Sequence, residues 1–265
     1  MQRAAAFFDL DRTLMAGSSG LPWARAALKA GLISRRQMAG WALDGVRFRL
    51  RGSTDEATEK VVAEIKQMLR GTSARDLARL APEVLVGVLP RIYPEMLEEV
   101  YSHQDAGRPT FIVSAAGDEL VRLLARILLM DGGIGTPYEV GEDGLFTGEL
   151  GGAFMYGAGK VEAMKRFAAK HAIDLEASWA YSDSASDLPM LRAVGTPVAV
   201  NPDDELARLA RQHGWQVMRF ERLGRRIAAL AFTAALAGAG LLGRRRIAPW
   251  TAQSSRSRAS SARRS

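Results

Sequence analysis

Cysteine is missing from all 265 residues. Its absence removes a disulfide framework, a thiolate metal site and a cysteine nucleophile together, and it accords with a reducing, cytoplasmic setting. A signal-peptide core is also lacking, because the apolar stretch after Met1-Gln2-Arg3 is broken by Asp9 and Asp11, so export is not expected. There is no internal repeat. The three histidines, His103, His171 and His213, fall on separate predicted helices with no motif around them and read as surface residues. Apolar residues make up 48% and charged residues 25%, the balance of a soluble globular body and not of a disordered, collagenous or polytopic membrane chain. The length allows one domain with a large insertion or two small domains.

Negative charge is absent from one region. Residues 222–265 hold ten Arg with no Lys, Asp or Glu, a charge of +10 where the whole chain has +7. Residues 1–221 therefore hold the other 26 basic residues and all 29 acidic ones, a net of −3. Attraction to polyanions belongs to the tail, and no nucleic-acid partner is expected for the body. Within the tail, Ile227 to Gly243 is a 17-residue uncharged run between Arg225-Arg226 and Arg244-Arg245-Arg246. As a helix it would span about 25 Å, short of the ~30 Å hydrocarbon core. A short membrane anchor, a helix lying on an anionic bilayer surface and a helix packed on protein all fit residues 222–251. Residues 252–265, mostly Ser, Arg and Ala, read as disordered.

The body opens with a short apolar run, Ala4 to Phe8, that ends in Asp9-Leu10-Asp11-Arg12-Thr13. This is the pattern of a buried strand delivering polar residues at its C-terminal end, where α/β folds bind ligands. From Ser18 to Gly107 the pattern is helical, in blocks over 18–30, 34–51 and 53–70. Each begins at Ser and is followed by Gly31, Gly52 or Gly71, the residues of helix N-caps and C′ positions. Two more helical stretches follow, over 73–88 and 94–106. Strands are then predicted at 110–113, 179–181, 198–200 and 215–220, with helices over 118–130, 159–171, 187–193 and 203–213 and a hairpin around Glu142-Asp143-Gly144. Such alternation predicts an α/β fold with a mainly parallel sheet, interrupted after its first strand by an all-helical insertion.

The chemistry-bearing residues fall at predicted strand ends and helix starts. Asp9 and Asp11 repel unless a cation lies between them or one is protonated, which suggests a hard divalent ion such as Mg²⁺; a solvated turn is the plain alternative. Ser114 follows Phe111-Ile112-Val113, Lys160 opens a helix, and Asp183 and Asp187 follow Trp179-Ala180-Tyr181. Singly these read as a helix cap, a surface charge and a capping pair. Together they put acids, a hydroxyl and a cation on one sheet edge. Gly157-Ala158-Gly159-Lys160 is not a Walker A loop, since Phe154 and Val161 stand where that motif needs Gly and Ser or Thr.

In this order, Asp9-Leu10-Asp11-Arg12-Thr13, Ser114, Lys160 and Asp183-Ser184-Ala185-Ser186-Asp187 resemble the four motifs of the haloacid dehalogenase (HAD) superfamily, subfamily IB, the phosphoserine-phosphatase-like (SerB-like) group. The resemblance spans residues 5 to about 220. It implies a Rossmann-like core over 1–16 and 108–221, with residues 17–107 as a helical C1 cap. It also implies a phosphatase with Asp9 as nucleophile forming an aspartyl-phosphate and Asp11 as general acid and base. Thr13, Ser114 and Lys160 would bind the phosphoryl group. Mg²⁺ would be held by Asp9, the Asp11 carbonyl and Asp183, with Asp187 in support.

Two departures bear on substrate. Arg12 and Ser186 stand where that group usually has a small residue and Asn, and Met15-Ala16-Gly17-Ser18-Ser19 lacks the Glu that binds a substrate ammonium. A buried ammonium without a carboxylate costs several kcal/mol, which points away from free L-phosphoserine and toward another small phosphomonoester. Two alternatives stay open: a lipid-phosphate phosphatase held at an anionic membrane by the tail, and a regulatory protein of the same fold affecting cell differentiation.

Overall fold

The computed structural model describes residues 3–40 and 55–220. The predicted apolar helix over 227–243, the Ser/Arg tail, Trp41 and most of the predicted helix over 34–51 lie outside the described residues. Six parallel strands form one sheet in the order β3-β2-β1-β6-β7-β8. They are β1 (Ala6–Asp9), β2 (Thr110–Gly117), β3 (Gly132–Thr136), β6 (Trp179–Ser182), β7 (Thr196–Val200) and β8 (Gln216–Met218). β4 (Tyr138–Val140) and β5 (Phe146–Leu150) make the expected antiparallel hairpin. The chain builds outward from β1 on one side through β2 and β3, then crosses to the other side through β6. Strand order therefore reverses at β1, and the crevice at its C-terminal end is where such sheets place ligands.

β1 is buried along its whole length, and its alternating side chains divide the core between two faces. Phe8 stacks on Tyr181 at 4.4 Å between ring centroids. It shares its face with Ile112 and with Met96 and Val100 of α5 (Pro94–Asp105) and Val121 and Leu124 of α6 (Asp118–Ile127). Phe7 stacks on Phe111 at 5.6 Å on the opposite face. There it packs with Ala163 and Met164 of α7 (Ala158–Lys170), Met190 of α8 (Leu188–Leu191) and Leu206 of α9 (Asp204–His213).

Between β1 and β2 lie α1 (Gly20–Lys29), α2 (Asp55–Leu69), α3 (Ala74–Ala78), α4 (Ala81–Val88) and α5. Gly31 and Gly71 take φ of +76° and +75°, as C′ glycines do. Ser34 and Gln37 form a reciprocal capping box, Gln37 N–H donating to Ser34 Oγ at 3.2 Å and Ser34 N–H to Gln37 Oε1 at 2.8 Å. Ser19, not Ser18, is the N-cap of α1. The predicted helical stretch over 73–88 is broken into α3 and α4, with Pro82 in the first turn of the second. α5 belongs with the sheet face, where Met96, Val100 and His103 are buried. No helix among the described residues is long and apolar enough to cross a membrane.

Two further features depart from the sequence-based expectations. β3, Gly132-Gly133-Ile134-Gly135-Thr136, carries too little side chain to register as a strand. Its glycines are set by packing: a Cβ at Gly133 would lie 2.8 Å from Val121 Cγ1, and one at Gly135 would lie 2.5 Å from Asp118 Cα. The second feature is His103. His171 and His213 are exposed, but His103 is 3% exposed. Its Nε2 is 2.8 Å from the Tyr181 hydroxyl, which donates to Glu99 at 3.1 Å, and Arg108 Nε donates to its Nδ1 at 2.8 Å. It is buried because α5 lays it edge-on against Trp179, a long-range contact absent from local pattern. Burial, and then the Arg108 charge, lower its pKa from 6.5 to about 4.

Gly135→Ala is expected to destabilise by about 1–3 kcal/mol, the usual cost of forcing atoms into a filled core; an unchanged urea midpoint would count against the packing argument. For His103 the folded pKa lies below the unfolded one, so stability present above about pH 6.5 is lost as pH falls toward 4. Thermal melts of His103→Gln over that window should show a flatter acid limb than those of the parent.

Candidate active site

Asp9 ends β1, and the backbone then coils tightly, Leu14 N–H donating to the Asp9 and Leu10 carbonyls and Met15 N–H to Leu10. Inside this coil Arg12 takes φ of +61°, a left-handed conformation costly for a residue with a side chain. Arg12 N–H donates to the Gly17 carbonyl at 3.0 Å, closing the loop. The next structured segment fixes the second acid: Ser18 Oγ–H and Ser19 N–H each donate to the Asp11 carboxylate at 2.9 Å.

Lys160, in the first turn of α7, is 4% exposed. Its ammonium donates to Asp9 Oδ1 at 2.5 Å and to Asp187 Oδ2 at 2.8 Å. Ser182 Oγ donates to the same Asp187 oxygen at 2.7 Å. α7 can begin this close because residue 159 is Gly; a Cβ there would lie 1.9 Å from the Phe154 carbonyl oxygen. Asp183, just past β6, is buried and pairs with Arg12 Nη1 at 3.2 Å. The structure thus joins Asp9, Lys160 and Asp187 in one buried cluster, with Asp183 and Arg12 beside it and Asp11 at its edge. Ser114 follows Val113, which lies in register with Asp9. Its Oγ accepts from Ala116 N–H at 3.2 Å, leaving its own proton to donate. Thr13 is fully buried, and its Oγ1 has no hydrogen-bond partner among the described residues.

Three supporting groups escape the sequence argument. Ser18 and Ser19 hold Asp11, and the Ser-Ser pair itself is a signal that could have been followed. Asp203 caps α9 through Leu206 N–H at 2.7 Å and also accepts from Ala185 N–H at 3.0 Å, while its own N–H donates to the Asp183 carbonyl at 2.8 Å. The cap is legible locally, but its hold on the 183–187 loop depends on tertiary contact.

Electrostatics in the cluster is unbalanced toward the negative. Burial, with help from the Asp187 and Asp11 charges and against the pull of Lys160, raises Asp9 to about 7. Burial and the Asp9 charge raise Asp183 to about 8 although Arg12 opposes them. Burial alone would lower Lys160, but the Asp187 and Asp9 charges outweigh it, so the ammonium stays protonated. Among the described residues, the cations paired with Asp9, Asp183 and Asp187 are Lys160 and Arg12, with the Asp11 carboxylate nearby. A donor set of carboxylate and carbonyl oxygens with surplus negative charge suits a hard divalent cation. No three His, Cys, Asp or Glu side chains among the described residues gather as a metal cluster, so such an ion would need a main-chain oxygen beside two carboxylates.

Residues 6–192 align with the haloacid dehalogenase-like hydrolase family. The chain belongs to that family. Among relatives, the "Inhibition of morphological differentiation protein" of Streptomyces azureus is 39% identical over 223 residues, 84% of this chain and 80% of the relative. "Phosphoserine phosphatase SerB1" of Mycobacterium tuberculosis is 36% identical over 238 residues, 88% of this chain and 76% of the relative. The crystal structure of a protein of unknown function from Bordetella pertussis Tohama I superposes with a TM-score of 0.70 at 28% identity, covering 82% of this chain and 99% of that one. The parallel sheet with its helices is accordingly the haloacid dehalogenase-type, Rossmann-like fold.

Lys160 keeps two buried carboxylates tolerable within this hydrolase. Lys160→Met should lower unfolding free energy in chelator by about 3–5 kcal/mol, as removal of one partner from a buried ion pair does. A denaturation midpoint equal to the parent's would show that the cluster is not held by charge.

Proposed function

We propose that the protein is a Mg²⁺-dependent phosphatase of a small phosphomonoester, working through an aspartyl-phosphate on Asp9. The observation that carries this is the buried Asp9 at the C-terminal end of β1, held at 2.5 Å by the Lys160 ammonium. A free Asp9 oxygen attacks phosphorus as the ester P–O bond breaks, and Asp11 gives a proton to the departing alkoxide. Water then attacks the aspartyl-phosphate, Asp11 takes back a proton, and inorganic phosphate leaves. Thr13 Oγ1, buried without a hydrogen-bond partner among the described residues, and Ser114 Oγ donate to phosphoryl oxygens, while Lys160 offsets charge on Asp9 and the phosphoryl group. Asp9, the Asp11 carbonyl and Asp183 would hold Mg²⁺, which when bound supplies positive charge toward the phosphoryl oxygens. Asp187 supports the site through Lys160, whose ammonium it fixes.

In this reading residues 1–16 and 108–221 form the catalytic core. Residues 17–107 are the insertion that selects substrate, though its α5 serves the core's sheet face. Ser18 and Ser19, at the base of the insertion, are where it reaches the acid. A regulatory role is favoured by one observation, the relative named for inhibiting morphological differentiation. Intact Asp9, Asp11, Lys160 and Asp183 support the enzyme, since association alone has no physical need of them.

A panel of phosphomonoesters assayed with Mg²⁺ and with EDTA tests the reading. Turnover should need the metal, vanish in Asp9→Asn without loss of fold, and fall by about 10²–10⁴-fold in Asp11→Asn. Full activity in Asp9→Asn, or in EDTA, would refute it.

A further inference from the structure

One charged side chain at the site has no part in the steps above. Arg12 occupies a left-handed backbone position, φ +61°, that glycine would hold without strain, so the side chain is retained at a cost. Its guanidinium reaches Asp183 at 3.2 Å, yet the side chain is 40% exposed. A guanidinium presents five donors in a planar fork, and a single contact at 3.2 Å leaves most of them facing outward. Lys160, by contrast, is buried and committed to two carboxylates. The loop closes on Gly17, whose carbonyl receives the Arg12 N–H, and a Cβ at Gly17 would lie 3.8 Å from Arg91 Nη1. Leu14-Met15-Ala16-Gly17-Ser18-Ser19 carries no charge, and the acid in contact with it, Asp11, is already held by Ser18 and Ser19. Among the described residues, the exposed cation placed beside the buried cluster is thus Arg12.

We propose that Arg12 is the specificity-determining residue of this site, gripping a second anionic group, carboxylate or phosphate, on the phosphomonoester. The proposal rests on the phosphatase reading and deepens it. Planar carboxylates and phosphates match the guanidinium fork in a bidentate way, and Asp183 gives the fork a fixed anchor from which to reach the substrate. A substrate whose distal group is an ammonium would meet the like charge of the Arg12 guanidinium there.

The test compares kcat/KM of the full chain on 3-phosphoglycerate, glycerol 1-phosphate and phosphoethanolamine, whose distal groups are anionic, neutral and cationic. The parent should rank them in that order. Arg12→Gln should lower the ratio of 3-phosphoglycerate to glycerol 1-phosphate by about 10–100-fold, the weight of a charged hydrogen-bonded contact, mainly through KM. Arg12→Lys, which keeps the charge without the fork, should recover part of that ratio. Circular dichroism confirms that each variant is folded. Arg12 acting only through Asp183 would slow all three esters alike, so hydrolysis with an unmoved ratio overturns this inference and leaves the phosphatase reading standing. Hydrolysis of no phosphomonoester by the parent would instead overturn the phosphatase reading and the Arg12 role with it.

Discussion

The ammonium of Lys160 lies between Asp9 and Asp187 with almost no exposure to water, and three separate parts of the chain meet at that point. Asp9 comes from the end of β1, Lys160 from the first turn of α7, and Asp187 from the loop after β6. Taking these charges out of water is expensive, and only close mutual pairing offsets the loss. The pairing in turn demands that α7 start within reach of β1. Gly159 permits this, since any side chain there would strike the Phe154 carbonyl. Ser182 fills a remaining position on Asp187, so Lys160 is steered and not merely neutralised.

The rest of the sheet serves to deliver these groups in register. β1 lies between β2 and β6, with Asp9 opposite Val113 and Phe8 opposite Tyr181. Ser114 and Asp183 therefore emerge at nearly the same level as Asp9, one on each side. Parallel pairing makes this automatic: strands running the same way end at the same edge, and the reversal of strand order at β1 opens space there. The paired aromatics of the two faces, Phe8 on Tyr181 and Phe7 on Phe111, fix that register from within the core.

Much of this was legible in the sequence because it is local. Short apolar runs followed by Asp9 or Asp183 announce strand ends, and Ser34, Gly31 and Gly71 announce helix ends, whereas Ser114, expected just past a strand over 110–113, lies inside β2, which runs on to Gly117. What was hidden depends on distant partners. β3 is concealed because α6 passes so near that Gly133 and Gly135 cannot carry side chains. His103 sits on a helix face that only Trp179 and Tyr181, far along the chain, turn into an interior. Asp203 shows its cap by position, yet its second oxygen organises the loop carrying Asp183 and Asp187, and no spacing rule contains that.

The two acids of the first motif, only two residues apart, are given different surroundings by different parts of the chain. Asp9 is enclosed by the core and held by a cation. Asp11 is half-buried and held by a hydroxyl and an amide from Ser18 and Ser19, at the point where the helical insertion begins. In the proposed mechanism the attacking carboxylate needs a fixed position, which the sheet supplies. One that must pass a proton back and forth needs access to water and to the leaving group, which a rim position supplies. The restraints on Asp11 therefore come from the insertion's first residues, and those on Asp9 from Lys160 in the core. In the proposed mechanism, proton transfer thus depends on contacts with the insertion, and nucleophilic attack on the core.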